Sequence, residues 1–251
     1  MLTMRCATRI SVVDPRVTPS LAGASWCRIP RIRSARVGGR IVLVGHYAPA
    51  LVAKAIEPRV PLGILFLAVQ LVDVAWAVFV LVGVEHARLV PGLPSNPLDL
   101  YDMPYTHSLV ATALWAGAAF GLARGRFGTR AALVVAAAVA SHWVCDLIVH
   151  RPDLPLVVTG PKLGLGLWNF PFLAWVVEIA FLLGAAWWCV RNHAIAHPRA
   201  VLALAGGLAV LQTILTIGPL PTSIQGVVGS ALVLYFAAAW IAGRVDRSLA
   251  T

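Results

Sequence analysis

Residues 131–155 read AALVVAAAVASHWVCDLIVHRPDLP. The run is apolar enough to cross a bilayer, which takes about 20 such residues. Yet its closing turns carry His142, Asp146 and His150, and Asp153 follows just beyond. Positions four apart on an α-helix advance about 400°, so these three drift by only ~40° per step. They form one stripe of nitrogen and oxygen donors about 6 Å apart along the axis. Ionisable side chains are costly in hydrocarbon, and those that occur face a bundle interior or an aqueous cavity. A stripe of three points to a site.

The composition agrees with a membrane location. Of 251 residues, 59% are hydrophobic and 12% charged, about half the charged share of a soluble domain. Several apolar runs of helical length follow one another, which predicts an all-α integral membrane protein, a polytopic bundle of six to seven transmembrane helices. The net charge of +10 does not argue for nucleic acid as a partner. Eight arginines (Arg5, Arg9, Arg16, Arg28, Arg31, Arg33, Arg36, Arg40) lie in the first 40 positions, opposed only by Asp14. Elsewhere the basic residues gather in short loops, where they report topology. The four cysteines are scattered without CxxC spacing, which argues against a disulfide framework or a structural zinc finger.

Residues 1–38 lack sustained periodicity and read as a basic, disordered extension, one that could precede the native start. Residues 39–246 form the helical domain. The predicted helices are 41–58, 61–84, one beginning at Pro104, one ending at His150, 167–190, 200–217 and 223–242. Basic turns at 124–130 and 191–199 face the cytoplasm under the rule that positive loops stay inside. Loops 85–103, 151–166 and 219–222 then face outward.

In that arrangement several helices bring polar donors to one depth. His46 lies in the first helix, Asp73 in the second, His107 at the head of the third, and His142, Asp146 and His150 in the fourth. Imidazole and carboxylate suit zinc, manganese or non-haem iron. The expected metal ligands are His46, His107, His142 and Asp146, for a divalent ion, zinc or manganese. Asp73 and His150 are expected as base or further ligands, Asp153 as their partner at the mouth, and Arg151 as an anion clamp. A blander reading makes His142 and Asp146 a hydrogen-bonded pair and Asp73 with Gln70 interhelical glue. Glu178 reads as a buried partner for a polar group.

GHYAPA around His46, QLVD ending at Asp73, T-H-S at His107 and SHWVCD with His142 and Asp146 together resemble the YdjM-like family of bacterial inner-membrane metal-dependent hydrolases, the group described as LexA-regulated. The resemblance covers about residues 41–180. It departs from the family where an L-P-D-x-D-H segment is usual, since the chain here reads EHARLVPGLP, and where H-R-G usually precedes T-H-S. The resemblance implies a multi-pass protein of the bacterial cytoplasmic membrane with a metal-dependent hydrolase site. The depth of the site suits a lipid or lipid-linked phosphoester. Two other classes stay open: a small proton- or cation-coupled transporter, and a scaffold whose polar residues only fasten helices.

Overall fold

A computed structural model describes residues 44–192, 194–195, 197–219 and 222–247. The expected extension over residues 1–38 lies outside the described residues. The chain enters through a 3-10 turn, Val44–Tyr47, and continues into α1 (Ala48–Ile56), α2 (Leu62–Val69) and α3 (Leu71–Leu81). A hairpin of β1 (His86–Leu89) and β2 (Leu98–Asp102) precedes α4 (Leu109–Phe127) and α5 (Thr129–Val149). A two-residue ladder follows, β3 (Leu154–Pro155) with β4 (Lys162–Leu163), then a 3-10 turn at Leu167–Asn169. The chain closes with α6 (Pro171–Arg191), α7 (Pro198–Ile217) and α8 (Ile224–Arg247).

The chain is mostly helical and fits an all-α membrane protein, but with fewer spans than the six to seven expected. Among the described residues four helices (α5 to α8) are long and apolar enough to cross, or five if α2 and α3 count as one bent span. Two physical causes account for the difference. Among the described residues the first predicted helix is reduced to the nine residues of α1, about 14 Å long, because Val44–Tyr47 forms a 3-10 turn before it and Pro58 cannot continue it. In α4 the last turn carries Arg124 and Arg126, which lowers its apolar character.

Two boundaries also move. The predicted second helix is two helices meeting at Gln70 with a 54° bend. The third helix starts at Leu109, not Pro104, because the Ser108 hydroxyl caps it by accepting from the Ala111 N–H at 3.1 Å, as Ser at an N-cap does.

Polarity is distributed as lipid would impose. Leu122, Ile217 and Leu114 are 82%, 76% and 71% exposed, while His46, Gln70, His107, His142, Asp146 and Glu178 are buried. Exposed apolar surface on this scale marks contact with lipid or a partner. The crossing of α2 and α8 is close. A Cβ on Gly63 would lie 2.6 Å from the Ala239 carbonyl and 3.1 Å from Gly243 Cα, the kind of small-residue contact that holds membrane helices together. At the same end Lys54 pairs with Asp246 at 2.8 Å, and Asp246 also accepts from the Leu62 N–H.

Glu57, in the connection between α1 and α2, is buried beneath Arg59 (2.7 Å) and Arg130 (3.4 Å). Hydrogen bonding from the Arg59 guanidinium, with the charges of Arg59 and Arg130, holds its carboxyl below the ordinary range. A carboxyl depressed in the folded state contributes stability above its unfolded pKa of about 4.3, and the contribution is lost as pH falls through the folded value. Thermal melts in detergent from neutral to acid pH will show Glu57→Gln starting below the parent and losing less on acidification. Parallel curves for the two proteins would refute this role.

Candidate metal centre

The site is assembled from four pieces of chain. The 3-10 turn supplies His46, which Glu178 of α6 seats by accepting from the Gly45 N–H at 3.1 Å. The fit is tight, since a Cβ on Gly45 would come within 2.9 Å of Glu178 Cγ. The start of α3 supplies Asp73, the approach to α4 supplies His107, and α5 supplies His142 and Asp146. His150 is the C-cap of α5 in extended conformation rather than its last helical residue. The glycine-rich loop fixes it there. Gly166, in the left-handed region at φ 73°, donates its N–H to the His150 carbonyl at 2.7 Å, and the Trp168 ring covers the imidazole at 4.3 Å between centroids. Gly suits such a backbone because it has no Cβ to clash.

These side chains converge. His46 Nε2 lies 3.0 Å and His150 Nε2 3.3 Å from Asp146 Oδ1. His142 Nε2 lies 3.2 Å from Asp146 Oδ2 and 3.6 Å from Asp73 Oδ1. His107 Nε2 lies 3.2 Å from Asp73 Oδ1 and 3.6 Å from Asp146 Oδ2. Two overlapping triads, His46–His142–Asp146 and Asp73–His107–His142, each present donor atoms within 4.8 Å of one another. Both contain His142, whose inward nitrogen can serve one ion at a time. They therefore overlap around one candidate centre rather than marking two separate ones.

The outer nitrogens reveal which way the imidazoles are protonated. His142 Nδ1 lies 2.7 Å from the Val69 carbonyl, which only accepts, so Nδ1 carries the proton. His150 Nδ1 donates to Asp153 Oδ1 at 2.8 Å. Thr106 Oγ1 donates to Glu85 Oε2 at 2.6 Å and accepts from His107 Nδ1 at 2.8 Å. In their neutral forms these three rings turn Nε2 lone pairs inward, toward carboxylate oxygens. His142 Nε2 and Asp146 Oδ2 are both buried without a hydrogen-bond partner. Lone pairs facing lone pairs at this distance repel unless a proton or a metal ion lies between them, and His46 Nε2–Asp146 Oδ1 and His107 Nε2–Asp73 Oδ1 are within hydrogen-bond reach when the nitrogen carries a proton. An outer hydrogen bond that fixes the tautomer is the usual support of a metal-bound histidine.

All seven residues expected from the sequence are thus placed at one location, with Asp153 behind His150. Asp73 Oδ2 accepts from the Tyr235 hydroxyl of α8 at 2.7 Å, and Oδ1 faces two imidazoles. Arg151 is no anion clamp. Its terminal nitrogens donate to the carbonyls of Pro94, Asn96 and Leu98 and staple the outer loop over the site. Three participants were not foreseen, namely Glu85, Thr106 and Tyr235. Threonine beside histidine in T-H-S was the available signal for Thr106. Tyr235 lies 162 residues from its partner, a separation no local pattern spans.

A chamber of about 90 Å³ opens beside the donors, lined by His46, Asp73, His107, Asp146, His150 and Tyr235 on one side and by Leu215, Val227 and Leu234 on the other. Comparison with protein-family models, curated proteins and solved structures found no match.

Proposed function

We propose that this is a metal-dependent hydrolase of a bacterial cytoplasmic membrane, acting on a lipid or lipid-linked phosphoester. The observation that carries the reading is the set of inward Nε2 atoms on His107, His142 and His150 around the buried Asp146 and half-buried Asp73 carboxylates. His46, His107, His142 and Asp146 would hold a divalent ion, zinc or manganese, with Asp73 as an additional oxygen donor. Such an ion would acidify water and polarise a phosphoryl oxygen.

The chain's own residues do the rest. His150, held by Asp153 through Nδ1, presents Nε2 to the chamber and takes the proton from water. The water oxygen attacks phosphorus, the ester P–O bond breaks, and the leaving alkoxide departs as the alcohol with the proton that His150 accepted. Tyr235 fixes the orientation of the Asp73 carboxylate. Arg151, by clasping loop carbonyls, keeps bulk water away from the outer side. Between the donors and the basic end the core consists of apolar residues such as Leu51, Leu65, Phe66, Val135 and Val139, which favours a closed site over a polar path for transport.

The test is turnover of an alkyl p-nitrophenyl phosphodiester by protein loaded with zinc or manganese. Activity will vanish with chelator and return with metal. His150→Ala will retain the metal and lose about 10²-fold or more in kcat, the usual worth of a positioned base. Metal-loaded parent that hydrolyses neither phosphomonoesters nor phosphodiesters overturns the reading.

A further inference from the structure

The chamber is two-faced. Its inner wall is polar, and Asp146 Oδ2 is buried there without a hydrogen-bond partner. Its α7/α8 wall is mainly apolar, with Leu215, Val227, Ala231 and Leu234, and is interrupted by Ser230 and by Tyr235, whose hydroxyl turns to Asp73. What fits there is polar on one side and apolar on the other.

Leu234 is also the upper end of a second cavity. A groove of about 560 Å³ runs between α7 and α8, lined by Gly207, Leu211, Leu234, Ala237, Ile241 and Val245 among others. Its walls are almost wholly apolar in residue type, and Ala203, Gly207 and Ala237 leave it open to the outside of the bundle. From Leu234 to Val245 the α8 axis advances about 16 Å, close to half of a hydrocarbon core about 30 Å thick. In a bilayer any open groove fills with lipid. This one differs because it meets a chamber of unsatisfied polar atoms at a shared residue.

We propose that the α7–α8 groove binds one hydrocarbon chain of an amphiphilic phosphate ester, whose head group reaches the donor cluster past Leu234. The head-group end rests on the metal-hydrolase reading, while the path of the chain does not. The small residues Gly207 and Ala237 leave the groove open to an unbranched chain. The chain runs from the donor cluster toward the end of the bundle that carries Lys54 and Asp246. The substrate is therefore drawn sideways from the membrane, with the ester held below the lid of loop 94–100.

The experiment is photolabelling of the full-length protein in nanodiscs with hexadecyl phosphate carrying a diazirine near the chain terminus, read by peptide mass spectrometry, beside measured metal content. Label is expected on Ala200–Gly207 of α7 and Ala237–Val245 of α8. Unlabelled hexadecyl phosphate should compete it away, and hexadecane should not. Gly207→Trp and, separately, Ala237→Trp point into the groove from the lipid side. Each should lower the competed label by about tenfold through overfilling while metal content stays at the parent level. Label in the groove of a protein that holds no metal would support the chain path and sink the hydrolase reading alone. Label spread evenly over the exposed faces of α4 to α8, indifferent to competitor and to both tryptophans, would mean annular lipid only and overturn the proposal.

Discussion

Detergent-purified protein is expected to carry about one equivalent of zinc or manganese, and the His142→Ala/Asp146→Ala variant none. The effect is large because the centre concentrates its affinity in few groups. Spreading the roughly 10–16 kcal/mol of a tight zinc site over four ligands gives about 3 kcal/mol, or some 10²-fold, for each. Removing two ligands should cost about 10⁴-fold. The same pair predicts a difference in stability. Without a cation, Asp146 sits among imidazole lone pairs in a buried space where unpaired charge is costly. Chelator should therefore lower the melting temperature of the parent and leave that of the double variant unchanged. Mass spectrometry of metal content and melts with and without chelator decide the matter. Two metal-free proteins after zinc and manganese reconstitution, both indifferent to chelator, would remove the metal centre.

Glu85 carries the second large effect, away from any proposed ligand. Its fully buried carboxylate accepts from the Tyr105 and Thr106 N–H groups at 2.7 and 3.0 Å and from the Thr106 hydroxyl at 2.6 Å. Glu85→Ala leaves three donors facing a void and should cost about 3–5 kcal/mol in stability. Glu85→Gln is more informative. Its amide oxygen still accepts from the two backbone groups, but its NH₂ cannot accept the threonine proton. The Thr106 hydroxyl must then turn toward His107 Nδ1, which becomes an acceptor, and the proton moves to Nε2 on the inner side. Most of the stability returns, yet metal affinity falls by about 10–100-fold, the usual cost of a lost outer partner. Denaturation and metal titration on the same preparations separate the two effects. Equal metal affinity in parent and Gln variant would rule out this control of the tautomer.

The stripe itself was legible because helical periodicity needs no tertiary information. His142 and Asp146 lie where a spacing of four puts them, and His150 follows as the helix cap. The apolar runs of α5 to α8 could be read for the same reason. Chain direction could not. A hydropathy pattern is blind to a bend within an unbroken apolar run, so residues 61–84 look like one rod although the backbone turns at Gln70. The first helix is shorter than its apolar pattern because a 3-10 turn at Val44–Tyr47 leaves no mark in that pattern while Pro58 ends α1 early. Glu85 looked like an ordinary loop acid, since only folding brings Thr106 onto it. The short hairpins arose in loops whose proline content argued against strands.

The bend at Gln70 bears on how other proteins of this kind could be found. α2 ends at Val69, and the carbonyl at that break accepts the His142 Nδ1 proton, while the next turn presents Asp73. The irregularity is thus part of the proposed coordination chemistry: one end of the break chooses the tautomer of His142 and the other would supply an oxygen donor. Ligand letters in a sequence drift and are short, as H-x3-D alone illustrates. A kinked apolar span whose exposed carbonyl faces a straight span bearing H-x3-D-x3-H is a three-dimensional signature, and distant members can be sorted by it where their sequences no longer align.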